Sequence, residues 1–331
     1  MSGAASQPQA IYSFRHELIR HDSPALCQGG VFESPTIAAQ GEFNEALLSW
    51  NVDVEPGTSF CVELRVGRRR ENYWTPYLHL GDWGPAAVRP RLVKCDSARV
   101  DVDILRSDER FDRAQYRVIA QADGRPAAAS IRHVTLCLSE RLGPLPGHTL
   151  NAAAAAIRPG RLPVPSRSQR AVAPDLAPRI CSPTSLAMVM QYRGVNVPTE
   201  TVAAACYDPA HDIYGNWPRN IQAAYAFGVS GYLARFSDLN AAAELVAAGQ
   251  PLIISIRFSC PGALRGAPYL TTDGHLLVCC GFDASGDVYV NDPAAATDQE
   301  GCTIYDRQEL EEAWLRGGGV AYVLLPTEPS R

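Results

Sequence analysis

Apolar and polar residues alternate in short runs through the first 140 or so positions. The runs at 59–66, 98–105, 115–120 and 130–138 place an apolar side chain at about every second residue, the period of a half-buried strand. Pro56-Gly57 and Asp123-Gly124 punctuate them as turns. Many short strands without a helical period between them predict an all-β, sandwich or jelly-roll-like domain over 1–145.

The pattern breaks at 146–165, where Pro146, Gly147, five alanines at 152–156, Pro159, Gly160, Pro163 and Pro165 predict a surface linker. From 166 to 331 the grammar is mixed. Helices are predicted at 182–192, opened by Ser182-Pro183 and stopped by Gly194, and at 199–206, 218–227, 240–248 and 308–315. Asn216 is a candidate cap for the third of these, and Asp306 with Glu309 has the offset of a capping box. Apolar runs at 251–258, 275–282, 287–291, 303–305 and 320–325 predict strands, so this half reads as an α+β domain.

Composition narrows the classes. A chain of 331 residues is too long for one typical domain of about 100–200 residues. With 46% hydrophobic and 20% charged residues it has ample material for packed cores. Lys plus Arg is 30 against Asp plus Glu at 35, a net charge of −5 that provides no general footprint for nucleic acid. No run approaches the roughly 20 apolar residues of a membrane span. The first ten residues lack a secretory pattern, which leads to a cytoplasmic expectation for the chain as written, or an exported one for a processed form. Ten cysteines without any C-x-x-C pair argue against a zinc site and against a disulfide framework; most should be small buried hydrophobes.

One cysteine is placed differently. Cys181 stands directly before the predicted helix, where unpaired N–H groups favour thiolate over thiol. His275 opens an apolar strand after Asp273-Gly274, and Asp292 ends the next strand. A hairpin through 283–286 brings those two side by side, the relation of a base to the group that orients it. Asn291 takes the orienter's place if the register slips by one.

These residues carry a resemblance. Val164-Pro165-Ser166-Arg167-Ser168-Gln169, the run from Cys181 through Met190, Gly274-His275 and Asn291-Asp292-Pro293 resemble the C39-like cysteine peptidases of the papain-like fold. Gly215-Asn216-Trp217-Pro218 and Gly249-Gln250-Pro251-Leu252-Ile253 match in order and spacing. The first half is similar to a β-rich domain that precedes this module in some bacterial members, through Phe32-Glu33-Ser34-Pro35, Phe43-Asn44, Ser49-Trp50-Asn51 and Trp74-Thr75-Pro76-Tyr77.

The resemblance implies Cys181 as nucleophile, His275 as acid and base, Asp292 as orienter, and Gln169 as oxyanion donor beside the Cys181 N–H. Trp217 and Ser182 are expected at the substrate; Ser182 stands where the family usually has glycine. The implied partner is a peptide or protein substrate, with glycan or protein contact assigned to the first half. Its Trp50, Trp74 and Trp83 with Tyr73 and Tyr77 read either as a sugar platform or, in the commoner case, as core. No metal or organic cofactor is implied. Two alternatives stay open: an acyltransferase or transpeptidase with the same triad, and a degenerate scaffold whose β domain binds.

Overall fold

The computed structural model describes residues 12–21, 25–27, 29–144 and 158–327. The expected alanine run at 152–156 lies outside them. Among the described residues the first half is all strand, and the five α-helices fall in the second.

In the first half, long antiparallel strands join into one hydrogen-bonded sheet rather than the two of a sandwich. Its spine runs Tyr12–His21, Ala129–Pro144, Ile37–Val54, Ile104–Ala122 and Ser59–Arg68, all antiparallel. Two of these strands, 18 and 19 residues long, continue through bulges between Ala38 and Glu45 instead of stopping at turns, so one ribbon bends around the core. Trp50, Phe60, Phe43, Phe111 and Leu64 are buried in that core. Asp123 (φ 48°) and Gly124 (φ 72°) form the left-handed pair that a tight hairpin requires.

The predicted strand at 98–105 is a hairpin instead. Arg99–Asp101 folds back on Ile104–Arg106, with Val102 at φ 59° in the turn and Asp103 at its tip. The aromatic set is no open platform. Trp50 is core, whereas Arg65 and Arg113 cover Trp74, Arg117 covers Tyr77, Arg68 covers Tyr73 and Arg219 covers Trp83, at 4.0 to 5.1 Å.

In the second half an antiparallel sheet runs in the order Gly231–Arg235, Val320–Leu324, Leu252–Phe258, Thr272–Phe282, Val288–Asn291, Cys302–Tyr305. Helices α1 (Cys181–Tyr192), α2 (Thr199–Cys206) and α3 (Trp217–Ala226) pack on one face; α4 (Leu239–Ala247) and α5 (Arg307–Arg316) pack on the other. Side chains of the 272–282 strand alternate between them, Leu276 and Val278 toward α1, Leu277 and Cys279 toward α4 and α5. Asn216 and Asp306 cap α3 and α5 as expected, accepting from the N–H groups of Arg219 and Glu309. Gly160–Arg161, expected in the linker, pairs with Phe282 and Gly281 of this sheet. A Cβ on Gly281 would lie 2.2 Å from the Gly160 carbonyl oxygen, so the close approach requires glycine there.

The two halves share a buried seam. Strand Gly231–Arg235 ends the second sheet, and its outward N–H groups find side chains of the first half. Asn51 Oδ1 accepts from Gly231 N–H at 3.2 Å, Asn51 Nδ2 donates to the Gly231 carbonyl at 3.1 Å, and Ser49 Oγ accepts from Leu233 N–H at 3.0 Å. In return Gln222 of α3 bonds both backbone groups of Val52, at 3.0 and 2.8 Å. The edge of the second sheet is thus closed by Asn51 and Ser49 of the first half, and the backbone of Val52, within the first sheet, by Gln222, the satisfaction that buried backbone groups demand. Leu47, Ile104 and Cys137 join the apolar cluster under α1 to α3.

Candidate active site

Helix α1 starts at Cys181 itself, with Ile180 as its N-cap and no side-chain cap. Ser182 is inside the helix, not before it. The residue is 1% exposed and its hydroxyl bonds Asn220 Oδ1 and Tyr322 Oη, both at 2.9 Å. The expected side-chain contact between Ser182 and substrate is therefore corrected: the hydroxyl is turned into the core. Pro183 is tolerated because the first helical turn needs no N–H acceptor.

The consequence for Cys181 is a sulfur at the helix N-terminus. Burial pushes the thiol up, but the hydrogen bond and charge of His275, together with the N–H groups of Leu276 and Ser182, outweigh it and hold Cys181 below the ordinary thiol value. Burial acts on His275 in the opposite sense, disfavouring its charge. The Asp292 carboxylate and the Cys181 sulfur prevail and raise it to about 10. Both groups favour the thiolate–imidazolium form.

His275 Nε2 lies 2.8 Å from Asp292 Oδ1, which leaves Nδ1 for the sulfur. Burial raises the Asp292 carboxyl, yet His275, the Ala294 N–H and Tyr305 together keep it below the usual carboxylate range. Its second oxygen, Oδ2, accepts from Tyr305 Oη at 2.8 Å and Tyr269 Oη at 2.9 Å. The Tyr269 ring also packs on the His275 ring, centroids 4.7 Å apart. Neither tyrosine was signalled by motif or periodicity. Asn291 is not the orienter, because its amide donates to the Val164 carbonyl at 2.9 Å.

Gln169 opens a 3-10 turn, Gln169–Ala171, and is buried. One N–H of its Nε2 is held by the Ala177 carbonyl at 2.8 Å; an amide nitrogen carries a second. Trp217 is the first residue of α3 and lines the same cleft as Cys181, a space of about 1020 Å³. Among the described residues, one cluster has metal-ligand types, Cys61, His79 and Asp82. Asp82 there already bonds Arg91 at 2.5 Å and lies 3.3 Å from His79, so it is a partnered ionic group far along the chain from Cys181.

Of the ten cysteines, six are buried, Cys95 and Cys181 are half-buried, and Cys260 and Cys302 are exposed. The expectation of mostly buried thiols holds, with the last two as exceptions. No helix among the described residues is long and apolar enough to cross a membrane.

A thiol at a helix start, a histidine on it and a carboxylate behind the histidine make up the equipment of a cysteine-dependent acyl-transfer site. Residues 161–322 match the Peptidase_C39 like family, and residues 19–139 match the Peptidase C39 N-terminal domain. The chain belongs to the C39-like peptidase family, with a β-rich N-terminal domain. A C39-like peptidase from Bacillus anthracis is 21% identical with a TM-score of 0.38, the match covering 52% of this chain and 100% of that one. A double glycine motif protease from an AMS/PCAT transporter, solved with its leader peptide, is 22% identical with a TM-score of 0.34, over 51% of this chain and 95% of that one. No curated protein matches the chain.

Proposed function

We propose that this protein is a papain-like cysteine peptidase that cleaves a peptide or related amide through a thioester. The observation that carries the reading is the line of contacts from Cys181 to His275 to Asp292, with the last link at 2.8 Å. Cys181 thiolate attacks the carbonyl carbon, and the oxyanion is held by the Cys181 N–H, free of an intrahelical acceptor, and by the second N–H of Gln169 Nε2. His275 gives its proton to the departing nitrogen as the C–N bond breaks. Water, deprotonated by the same imidazole, then attacks the thioester, releasing the acid and restoring the thiol.

The test is alkylation of Cys181 by iodoacetamide as a function of pH, read by peptide mass spectrometry, with the exposed Cys260 and Cys302 as internal references. Cys181 should react at a pH well below theirs, and His275→Ala should abolish the difference. Equal profiles for all three thiols in the unaltered protein would sink the reading.

A further inference from the structure

In the first half, strands Ser59–Arg68 and Leu78–Trp83 pair antiparallel, with Cys61 opposite Asp82 and Glu63 opposite His79. The register slips between these two pairs, so Leu80 is an extra residue. In a regular strand His79 and Asp82, three positions apart, point to opposite faces. The bulge turns both onto the face that carries Cys61, the re-aiming of a side chain that bulges perform.

The result is one thiol, one imidazole and one carboxylate whose donor atoms all lie within 4.8 Å of one another. Cys61 is fully buried and His79 is 4% exposed, yet neither ring nitrogen of His79 has a hydrogen-bond partner. Nε2 stands 3.3 Å from Asp82 Oδ2 without bonding it. Both bonds from Arg91 go to that same Oδ2, at 3.0 and 2.5 Å, and leave Asp82 Oδ1 buried and unpartnered. Buried polar atoms left without a partner call for an explanation, and a bound ion is one.

We propose that Cys61, His79 and Asp82 bind one Zn²⁺. Thiolate, imidazole and carboxylate are the three ligand types of zinc, and a tetrahedral shell spaces such donors by roughly 3.3–3.6 Å, a small contraction of the present set. Glu63 does not complete the shell, because its oxygens are taken by Arg89 and Arg117, so the fourth position falls to water. Arg91 stays on the ligating carboxylate as its outer partner. Binding releases the Cys61 proton to solvent. Because the donors come from two strands, no C-x-x-C spacing announces them. The ion ties the end of strand Leu78–Trp83 at the seam between the halves, where the Asp82 carbonyl accepts from Arg219 of α3 at 2.9 Å and Arg219 covers Trp83. The site does not depend on the peptidase reading.

The test uses full-length protein in which the half-buried and exposed cysteines, Cys95, Cys181, Cys260 and Cys302, are replaced by alanine, so that any thiolate on a metal is a buried one. The reduced protein is stripped with EDTA and titrated with Co²⁺ and then Zn²⁺, read by absorbance and by metal analysis after gel filtration. About one metal per chain should be retained, with a thiolate-to-cobalt charge-transfer band that one equivalent of Zn²⁺ abolishes. Zn²⁺ should also raise the melting temperature. Adding Cys61→Ala should remove the band, and Cys61→Ala or Asp82→Asn should weaken Zn²⁺ binding by roughly a hundredfold or more. The band needs none of the three ligands to be altered. Zinc retention by the chain with its own cysteines, compared with Cys61→Ala alone, gives the same answer if the fourfold variant does not fold. No retained metal, a metal without the band, or binding unchanged by Cys61→Ala overturns the proposal.

Discussion

The Asp103 carboxylate accepts the backbone N–H of Trp217 at 2.9 Å, so a turn of the β-rich half caps the helix that walls the cleft. A carboxylate at a helix N-terminus is favourable in itself. Burial nevertheless dominates here and raises the group to about 7, against the pull of the Trp217 N–H, Arg106 and His211. The bond is made at the tip of a hairpin whose neighbour Val102 stands at φ 59°, a left-handed conformation that β-branched residues avoid.

The raised carboxyl makes a pH prediction. Native Asp103 holds its proton up to about 7, whereas in the unfolded chain it is lost near 3.8. Stability from this group is therefore full below the lower value and declines as pH rises between the two. Asp103→Asn keeps an oxygen for Trp217 and removes the buried charge. Its melting temperature should fall less than that of the unaltered protein between pH 4 and 7, and should equal or exceed it at pH 8. A slope identical to the parent would refute the assignment.

Relief of the turn is a separate prediction. Val102→Gly removes the Cβ that is strained at positive φ, and the substitution should stabilise the protein by about 1 kcal/mol in urea unfolding. Destabilisation would show that the Val102 side chain contributes more in contacts than it costs in strain.

Asp292→Ala removes the largest influence that raises His275. The imidazolium then deprotonates at lower pH, and Cys181 loses the charge that holds it down. The alkylation profile of Cys181 should move up by about one pH unit or more, and any peptide turnover should drop by roughly tenfold to a thousandfold. An unmoved profile would mean that Asp292 does not act on the histidine.

The two tyrosines on Asp292 Oδ2 predict a coupled pair. Tyr305→Phe or Tyr269→Phe alone leaves one donor on the oxygen and should cost about 1–3 kcal/mol. Together they leave that carboxylate oxygen with neither hydroxyl, so the double variant should cost more than the sum of the singles. Strict additivity in chemical denaturation would argue against a shared acceptor.

Ser182→Gly restores the residue usual in the family. It strips the hydroxyl from Asn220 and Tyr322 in a buried site and places glycine in a helix, so it should destabilise by roughly 2–4 kcal/mol. The Cys181 alkylation profile should stay in place, because the Ser182 N–H that faces the sulfur is retained. A shifted profile would return Ser182 to the site.

Much of the second half was legible in sequence because several of its helices carry a polar face or a side-chain cap. Thr199–Cys206 and the caps Asn216 and Asp306 fall where period and side chains predict them. His275 and Asp292 could be paired from a hairpin because their relation is local. The strand Gly231–Arg235 was missed since all five residues are buried, leaving no alternation to read. The strand Ile37–Val54 was missed for a related reason: residues 43–52 are buried in succession, one face on the β core and the other against the second half. Asn51, Ser49 and Gln222 meet partners some 170 to 184 residues away, and no local pattern encodes such contacts. Tyr269 and Tyr305 reach Asp292 only once the sheet has formed, and the serine-proline start misled because Ser182 finds better partners in the core than its own backbone.

Asn51 meets both backbone groups of Gly231, and Ser49 the N–H of Leu233, as a neighbouring strand would. An exposed sheet margin is where an extended peptide, or a second copy of the same protein, can latch on by strand addition. At Gly231–Arg235 that socket is already filled from within the chain. Extended ligands and further copies are thereby denied this margin of the second sheet.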